Sequence, residues 1–379
     1  MIKKLLLLIS ICLLILIGVF AATVLVLYNK QDAIVQELLT KANADFAGKI
    51  ELRDSHIALF HDFPYISIDL EDFKVFETKN ENDSPIINLK EVYVGFDLWT
   101  IINGKTEIKK IDLEHGRIDL VQYPDGELNL EKAFATQVPV EDTEEEFHLH
   151  LKQIEITDVD ISKSKPDADL MVDVYISEAA TSFKSNPEHI YADLDSKFEL
   201  SIILDGDTTF IKHKHFEFET EVDYSKPNQS LAISPTTAKL EGALFETGGT
   251  IEFKDDVYVD LKFSGNKPNF DLFLAVAPPE LAPALKKYQN KGQIFFEATI
   301  QGNTANGNSP AINARFGCEH AFFNNTEVDK KLDELNFSGY FTNGEARNAS
   351  TMEFSIKDFS ARPEARLART ALLVCPHLF

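Results

Sequence analysis

Residues able to do chemistry are plentiful in this chain, and their spacing is what limits them. Sixty-one of the 379 residues are Asp or Glu, against 37 Lys and Arg, and 10 are His. Asp158/Asp160, Asp193/Asp195 and Asp205/Asp207 each set two carboxylates on one strand face or at one turn. Calcium needs several oxygens in a loop of fixed spacing, and no such loop occurs. Solvated strand faces account for these acid pairs. His148/His150 and His213/His215 are also two apart, but neither pair has a third ligand nearby, and Cys318-Glu319-His320 is equally short of a cluster. Ser162 and Lys165 have the serine–x–x–lysine spacing that sets a base beside a nucleophile in acyl-transferring enzymes. Its companion motifs are missing, and the Pro/Asp/Lys surroundings predict a loop rather than a helix. Nucleophile-elbow glycines, a phosphate loop, a dinucleotide fingerprint and a zinc helix are all missing. The expectation is a protein without catalytic residues, metal or cofactor.

The elements that carry these residues are mostly strands. Apolar positions alternate with polar ones in Ile66-Ile68-Leu70, Val92-Val94-Phe96-Leu98, Phe147-Leu149-Leu151, Leu170-Val172-Val174-Ile176 and Phe198-Leu200-Ile202-Leu204. Phe216-Phe218, Val257-Val259-Leu261-Phe263 and Phe354-Ile356 continue the pattern. Asn103-Gly104, Asp125-Gly126, Asp205-Gly206, Gly248-Gly249 and Asn343-Gly344 read as turns between them. The period predicts sheets with one apolar and one wet face, and the lack of βαβ alternation predicts antiparallel or meander pairing. Helices are few: an amphipathic stretch from Asn29 to Phe46, with Ile34, Val35, Leu38, Leu39, Ala42 and Phe46 on one face, packs against the first strands. Asn129–Ala135 is a single short helix, and Pro278–Gln289 a longer one that Gly292 stops.

Ahead of these lies an uncharged run, Leu5 through Leu27, preceded by Lys3 and Lys4. At the helical rise it reaches roughly 34 Å, enough for a hydrocarbon core of about 30 Å. A cleaved signal peptide is the rival reading, but its apolar region is usually ~7–15 residues long, and Val24–Leu27 follow the only small-residue site, Ala21-Ala22-Thr23. Charge bias then places the N-terminus in the cytoplasm and everything after Tyr28 beyond the inner membrane, in the periplasm. The net charge of −24 argues against nucleic acid and against electrostatic docking on anionic head groups. Three cysteines form no disulfide framework: Cys12 is in the apolar run, and Cys318 and Cys375 are expected as free thiols, with one bridge between them as the alternative.

The divisions expected are 1–28 for the anchor, 29–137 for a helix and first sheet, 147–360 for a continued sheet, and 361–379 for an atypical tail. Acidic Val138–Glu146 is the linker between the halves. Arg362, Arg366 and Arg369 make the tail basic in a chain that elsewhere prefers Lys and acids, which suggests a truncated or frameshifted end, with a natural basic tail as the alternative.

Residues Ile57 to Leu130 are the most specific stretch. Phe73 and Val75 follow Phe63-Pro64, and then come Ile87-x-Leu89-x-x-Val92-x-Val94-x-Phe96-x-Leu98 and Ile101-x-Asn103-Gly104. Ile108-x-x-Ile111-x-Leu113-x-x-Gly116-x-Ile118-x-Leu120 and Gly126-x-Leu128-Asn129 complete it. With the apolar run upstream, this resembles the AsmA family of inner-membrane-anchored envelope proteins. Pro278-Pro279-Glu280-Leu281, Gly292 and Phe341-Thr342-Asn343-Gly344 look like the later portion of its shorter members. The resemblance implies a mainly β fold: an elongated, twisted antiparallel sheet forming an open, chorein-like groove, with few short helices. It implies phospholipid acyl chains as cargo and a part in phospholipid transfer between inner and outer membranes and in outer-membrane assembly. This chain stops short of the family's usual length. Groove-lining candidates are Ile66, Ile68 and Leu70; Val92, Val94, Phe96 and Leu98; Ile118, Leu120 and Leu149; and Val172, Val174, Leu200 and Ile202. A non-catalytic scaffold binding other envelope proteins is the alternative, since a dry β-sandwich has the same alternation.

Overall fold

The computed structural model describes residues 35–36, 39–58, 61–62, 65–80, 83–97, 107–136, 151–204, 207–208, 212–254, 257–267, 271–276, 283, 287–304, 309–325, 330–347 and 349–363. Leu5–Leu27, Leu98, Asn103-Gly104, Val138–Glu146, His148, Leu149, His150 and Cys375 lie outside them, as does residue 364 onward. No helix among the described residues is long and apolar enough to cross a membrane. The fold is mainly β, with open, predominantly antiparallel sheet and few helices. It divides into compact units 1–183 and 184–379.

In the first unit, β1 (Lys49–Glu51) and β2 (Asp54–Ala58) pair in turn with β3 (Ile66–Phe76). β3 pairs with β4 (Pro85–Phe96), and β4 with β5 (Ile108–Val121), all antiparallel. Then comes α1 (Asn129–Ala133), the short helix expected from the sequence. It has no side-chain N-cap, but Glu131 accepts the Leu128 N–H at 2.8 Å, and the Asn129 side chain ties it to Val121 and Asp119 of β5. β6 (Gln153–Lys165) follows and is paired parallel to β5, an exception to the antiparallel expectation. The cause is where α1 docks. The Gly48 N–H donates to Ala133 at 2.8 Å, at the far end of β5, and Lys152 N–H then donates to Lys109 at 2.7 Å, at its near end. A chain returned to the start of its neighbour can only run alongside it in the same direction. β7 (Leu170–Ser185) pairs antiparallel with β6, and β6 and most of β7 belong to the same unit as β1 to β5.

Ser162 and Lys165 lie in β6, not in a loop. Strand geometry sends residues three apart to opposite faces, so their spacing brings no base to the hydroxyl.

In the second unit, β8 (His189–Leu204) pairs with β9 (Asp207–Thr208) and with β10 (Lys214–Ser225). From β10 the chain runs as an antiparallel meander through β11 (Ser230–Leu240), β12 (Ala243–Glu252) and β13 (Tyr258–Lys267). After α2 (Asp271–Val276) it continues through β14 (Tyr288–Asn303), β15 (Ala311–Asn325), β16 (Lys330–Thr342) and β17 (Glu353–Pro363). Gly248-Gly249 is no turn: it lies inside β12, where Gly249 has φ +151° and a Cβ would meet the Asp260 carbonyl oxygen at 2.0 Å. Glycine there admits the neighbouring backbone, and the true turn is Glu241-Gly242, with φ +50° and +80°. Tyr288 and Gln289, expected to end a helix, open β14 because Asn325 and Asn324 of β15 supply a ladder. β17 reaches Pro363 and brings Ala361 against the Ile294 cluster, so the strand runs into the first residues of the expected tail.

Candidate functional site

One apolar face runs without interruption across the strands of the first unit. Cross-strand register places Ile68 opposite Val94, Val94 opposite Ile111 and Ile111 opposite Ile154. Farther along, Ile87, Ile118, Ile161 and Val174 stand in a row. The alternation breaks once on each of these strands, between Leu70 and Phe73, Leu89 and Val92, Leu113 and Gly116, Ile156 and Val159, and Ile176 and Ala179. Asp72 on β3, His115 on β5 and Asp158 on β6 sit in these gaps with φ near +50° (50°, 54° and 54°), at one level across the sheet. None is an extra residue: Glu71 faces Glu91 and Phe73 faces Leu89, Glu91 faces Glu114 and Leu89 faces Gly116, and Glu114 faces Thr157 and Gly116 faces Val159, so the count is kept and the apolar phase shifts in step across the strands. Asp and His tolerate this conformation better than most residues. Their side chains meet across strands: His115 Nδ1 lies 3.4 Å from Asp158, which accepts the Tyr175 hydroxyl at 2.7 Å.

Coverage of this face is uneven. At one end Val35 and Leu39 of the amphipathic stretch pack on Ile68, Phe96 and Ile108, as expected. At the other, Ala133 and Leu130 of α1 pack on Val75, Ile87 and Leu120. Of the groove candidates, Ile66, Ile68, Val92 and Phe96 are buried. Leu70, Val94, Ile118, Leu120, Val172 and Val174 are only half-buried.

The second unit repeats the pattern with larger side chains. Phe198, Phe216 and Leu240 line up across β8, β10 and β11, with Leu200 and Ile202 farther along β8. Leu261, Ile300 and Ile312 align across β13 to β15. All of these are half-buried, while the buried apolar positions on β8, β11 and β12 are alanines: Ala192, Ala238 and Ala243. Among the described residues, only the six-residue α2 packs on the face, with Ala275 against Leu240, Phe245 and Phe296. At β17, Phe354 is 64% and Ile356 47% exposed.

The other face of the first unit holds a charged lattice that the sequence reading passed over as solvated. His56, Asp69, Tyr93, Asp112 and Glu155 form one cross-strand row, and Glu71, Glu91 and Glu114 the next. A loop before β3 adds His61 and Asp62. Asp62 accepts from Ser67 and, at 2.6 Å, from Lys110, whose ammonium also reaches Glu155 at 2.7 Å. His61 stacks on Tyr93 with ring centroids 3.7 Å apart. Its Nε2 lies 3.0 Å from Asp112 Oδ2 and 3.4 Å from Glu114 Oε1. Burial pushes Asp69 up to about 6, helped by Glu91 and Glu71 and opposed by His56. Burial also raises Asp112 and Glu114. Burial works against a charged His61, but the Asp112 hydrogen bond and the fields of Asp62 and Glu114 outweigh it and raise the imidazole. The one signal the sequence offered was the phase: these acids occupy the alternate positions of the most apolar strands, where a covering loop buries whatever points its way.

His213, His215 and His320 are surface groups. His213 and His215 share Glu199 at 2.5 and 3.2 Å and are both well exposed. Cys318 is a free, buried thiol.

Comparison with protein-family models, curated proteins and solved structures returns no match.

Proposed function

We propose that this chain shields phospholipid acyl chains along its apolar sheet face, as a membrane-anchored periplasmic protein contributing to lipid transfer between the inner and outer membranes and to outer-membrane assembly. The observation that carries the reading is the second unit's face: large apolar side chains in continuous register, half-exposed, with only α2 on them among the described residues. A two-chain phospholipid exposes on the order of thirty methylenes at ~0.8 kcal/mol each, so crossing water bare costs on the order of 20 kcal/mol. A sheet with an uncovered apolar side offsets that cost while the head group stays wet. No covalent step is involved, and the anchor is Leu5–Leu27. The resemblance to the AsmA family points the same way.

Full-length protein extracted in mild detergent should carry phospholipid detectable by mass spectrometry. I202E and V174E place charge at half-buried face positions; they should remove the lipid and its transfer between vesicles while leaving the circular dichroism unchanged. Protein that stays lipid-free and never takes up a fluorescent phospholipid would sink the reading.

A second reading, a scaffold that binds other envelope proteins, draws on β17. Its exposed Phe354, Ile356 and Phe359 lie on a strand that pairs with β16 and offer an apolar patch to a partner. Stoichiometric crosslinked partners without lipid favour it.

A further inference from the structure

We infer that His61, Asp112 and Glu114 form a binding site for a divalent transition-metal cation that pins the loop before β3 to the sheet. Three observations converge. The first is donor geometry. Zinc bonds to imidazole nitrogen and carboxylate oxygen are ~2.0–2.2 Å, which puts donors of a tetrahedral site roughly 3.3 Å apart. His61 Nε2 stands 3.0 and 3.4 Å from its two carboxylate neighbours.

The second is an unpaired acceptor. Asp112 is 3% exposed and belongs to two groups of converging donors, one with His61 and Glu114, the other with Asp62 and Glu155. Its Oδ1 is buried without a hydrogen-bond partner. Such an oxygen costs about 1–3 kcal/mol, more when charged, unless something binds it.

The third is charge. Glu71, Glu91 and Glu114 lie directly opposite one another on three strands, and Asp112 opposite Glu155. Like charges in that register repel. Lys110 answers for one half of the lattice, holding Asp62 and Glu155. The half that contains Glu114 has histidines beside it, His56, His61 and, at 3.9 Å, His115, with Arg53 on Glu71 at the edge. A dication on Asp112 and Glu114 neutralises it, and His61 completes the trio from a partly exposed loop that leaves room for water. An imidazole among the donors selects zinc-like ions over magnesium and calcium. Protons compete for all three ligands, so affinity falls with falling pH.

This site does not depend on lipid binding, and its test reads metal alone. EDTA-treated full-length protein in detergent is titrated with zinc chloride by calorimetry at pH 7.5 and pH 5.5, and its thermal midpoint is followed in parallel. One zinc per chain should bind at pH 7.5, at least about tenfold more tightly than at pH 5.5, and raise the midpoint. H61A should weaken binding about tenfold or more and abolish the rise; if H61A does not fold, E114Q carries the same readout. H213A/H215A should leave both unchanged, and magnesium or calcium should not substitute. Zinc binding unaffected by H61A and E114Q, binding lost with H213A/H215A, an equal response to magnesium, or no binding at all would each overturn the assignment.

Discussion

The two units are built from the same alternating strands, yet they spend their apolar residues differently. In the first, Ile66, Leu89, Val75 and Val159 are fully buried, and two helical segments close over the ends of the face. In the second, fully buried large residues shrink to Ile294 beside Cys318 and Ala321, and Phe and Leu stay half-exposed over β8 to β13. Polar groups divide the same way. The first unit buries acids, lysines and a histidine-bearing lattice, whereas the buried polar side chains on β8 and β10 are chiefly hydroxyls: Ser196, Ser201, Thr220 and Ser225. One alternating pattern thus yields a packed, electrostatically loaded unit and an open-faced one. Periodicity fixes which face is apolar, and what covers that face decides its use.

The sharpest way to break this contrast is to put the same charge on each face. Val159 is completely buried among Leu89, Val92 and Ile156. V159D should cost on the order of 4 kcal/mol or more, because an unpaired carboxylate finds no water there. Ile202 on β8 is half-buried, and I202E should cost only about 1 kcal/mol. Urea midpoints of the two variants measure the difference. Equal losses would mean that the second unit's face is as dry as the first's.

Next in size is backbone. Gly249 of β12 faces the Asp260 carbonyl at a distance no Cβ tolerates, so G249A should cost roughly 3 kcal/mol. Gly126 in the turn before α1 has φ +91° and open space around it; G126A should cost only about 1 kcal/mol. Matched losses would show that the turn, not the sheet, sets the requirement.

These same positions show how much could be read from residues alone. The unbroken alternation of β8 was legible, and the spacing of three from Leu113 to Gly116 carried the phase shift at His115 in plain view. The parallel β5–β6 pair was not legible, because it follows from Gly48 docking to Ala133, a contact between distant residues. Nor was α2, whose six residues are too few to display a helical period. The charged lattice escaped for a different reason. Asp69, Glu91 and Asp112 look like wet-face residues until a loop bearing His61 and Asp62 is laid over them, and that loop has no periodic signature.

The lattice makes the first unit's stability depend on pH. Asp69 is 2% exposed, its Oδ1 has no partner, and its pKa stands at about 6 in the folded chain. A raised carboxyl binds its proton more tightly folded than unfolded. Its contribution is therefore complete below about pH 4, the unfolded value, and is lost as pH rises through 6. D69N should leave stability at pH 4 nearly unchanged and raise it at pH 8 by about 2 kcal/mol, seen as a flatter urea midpoint against pH. A D69N profile parallel to wild type would remove Asp69 from the account.

The second unit's buried thiol gives the smallest effect and the cleanest contrast. Cys318 has no charged neighbour to set its proton: burial alone pushes it up to about 11, against a weak opposing hydrogen bond from the Phe337 backbone. At pH 8 its thiolate fraction is then lower than that of an ordinary cysteine by roughly a hundredfold. Iodoacetamide should label it about a hundred times more slowly in the folded protein than in urea, as read by peptide mass spectrometry. C318A removes only one sulfur from the Ile294–Ala321–Leu335 cluster and should cost about 1 kcal/mol at any pH below 8. Where Asp69 ties stability to pH through a buried carboxyl with acidic neighbours, Cys318 below pH 8 ties it only to packing. Rapid labelling of the folded thiol would mean that this cluster opens to solvent, and that the second unit is uncovered even where its side chains are most deeply buried.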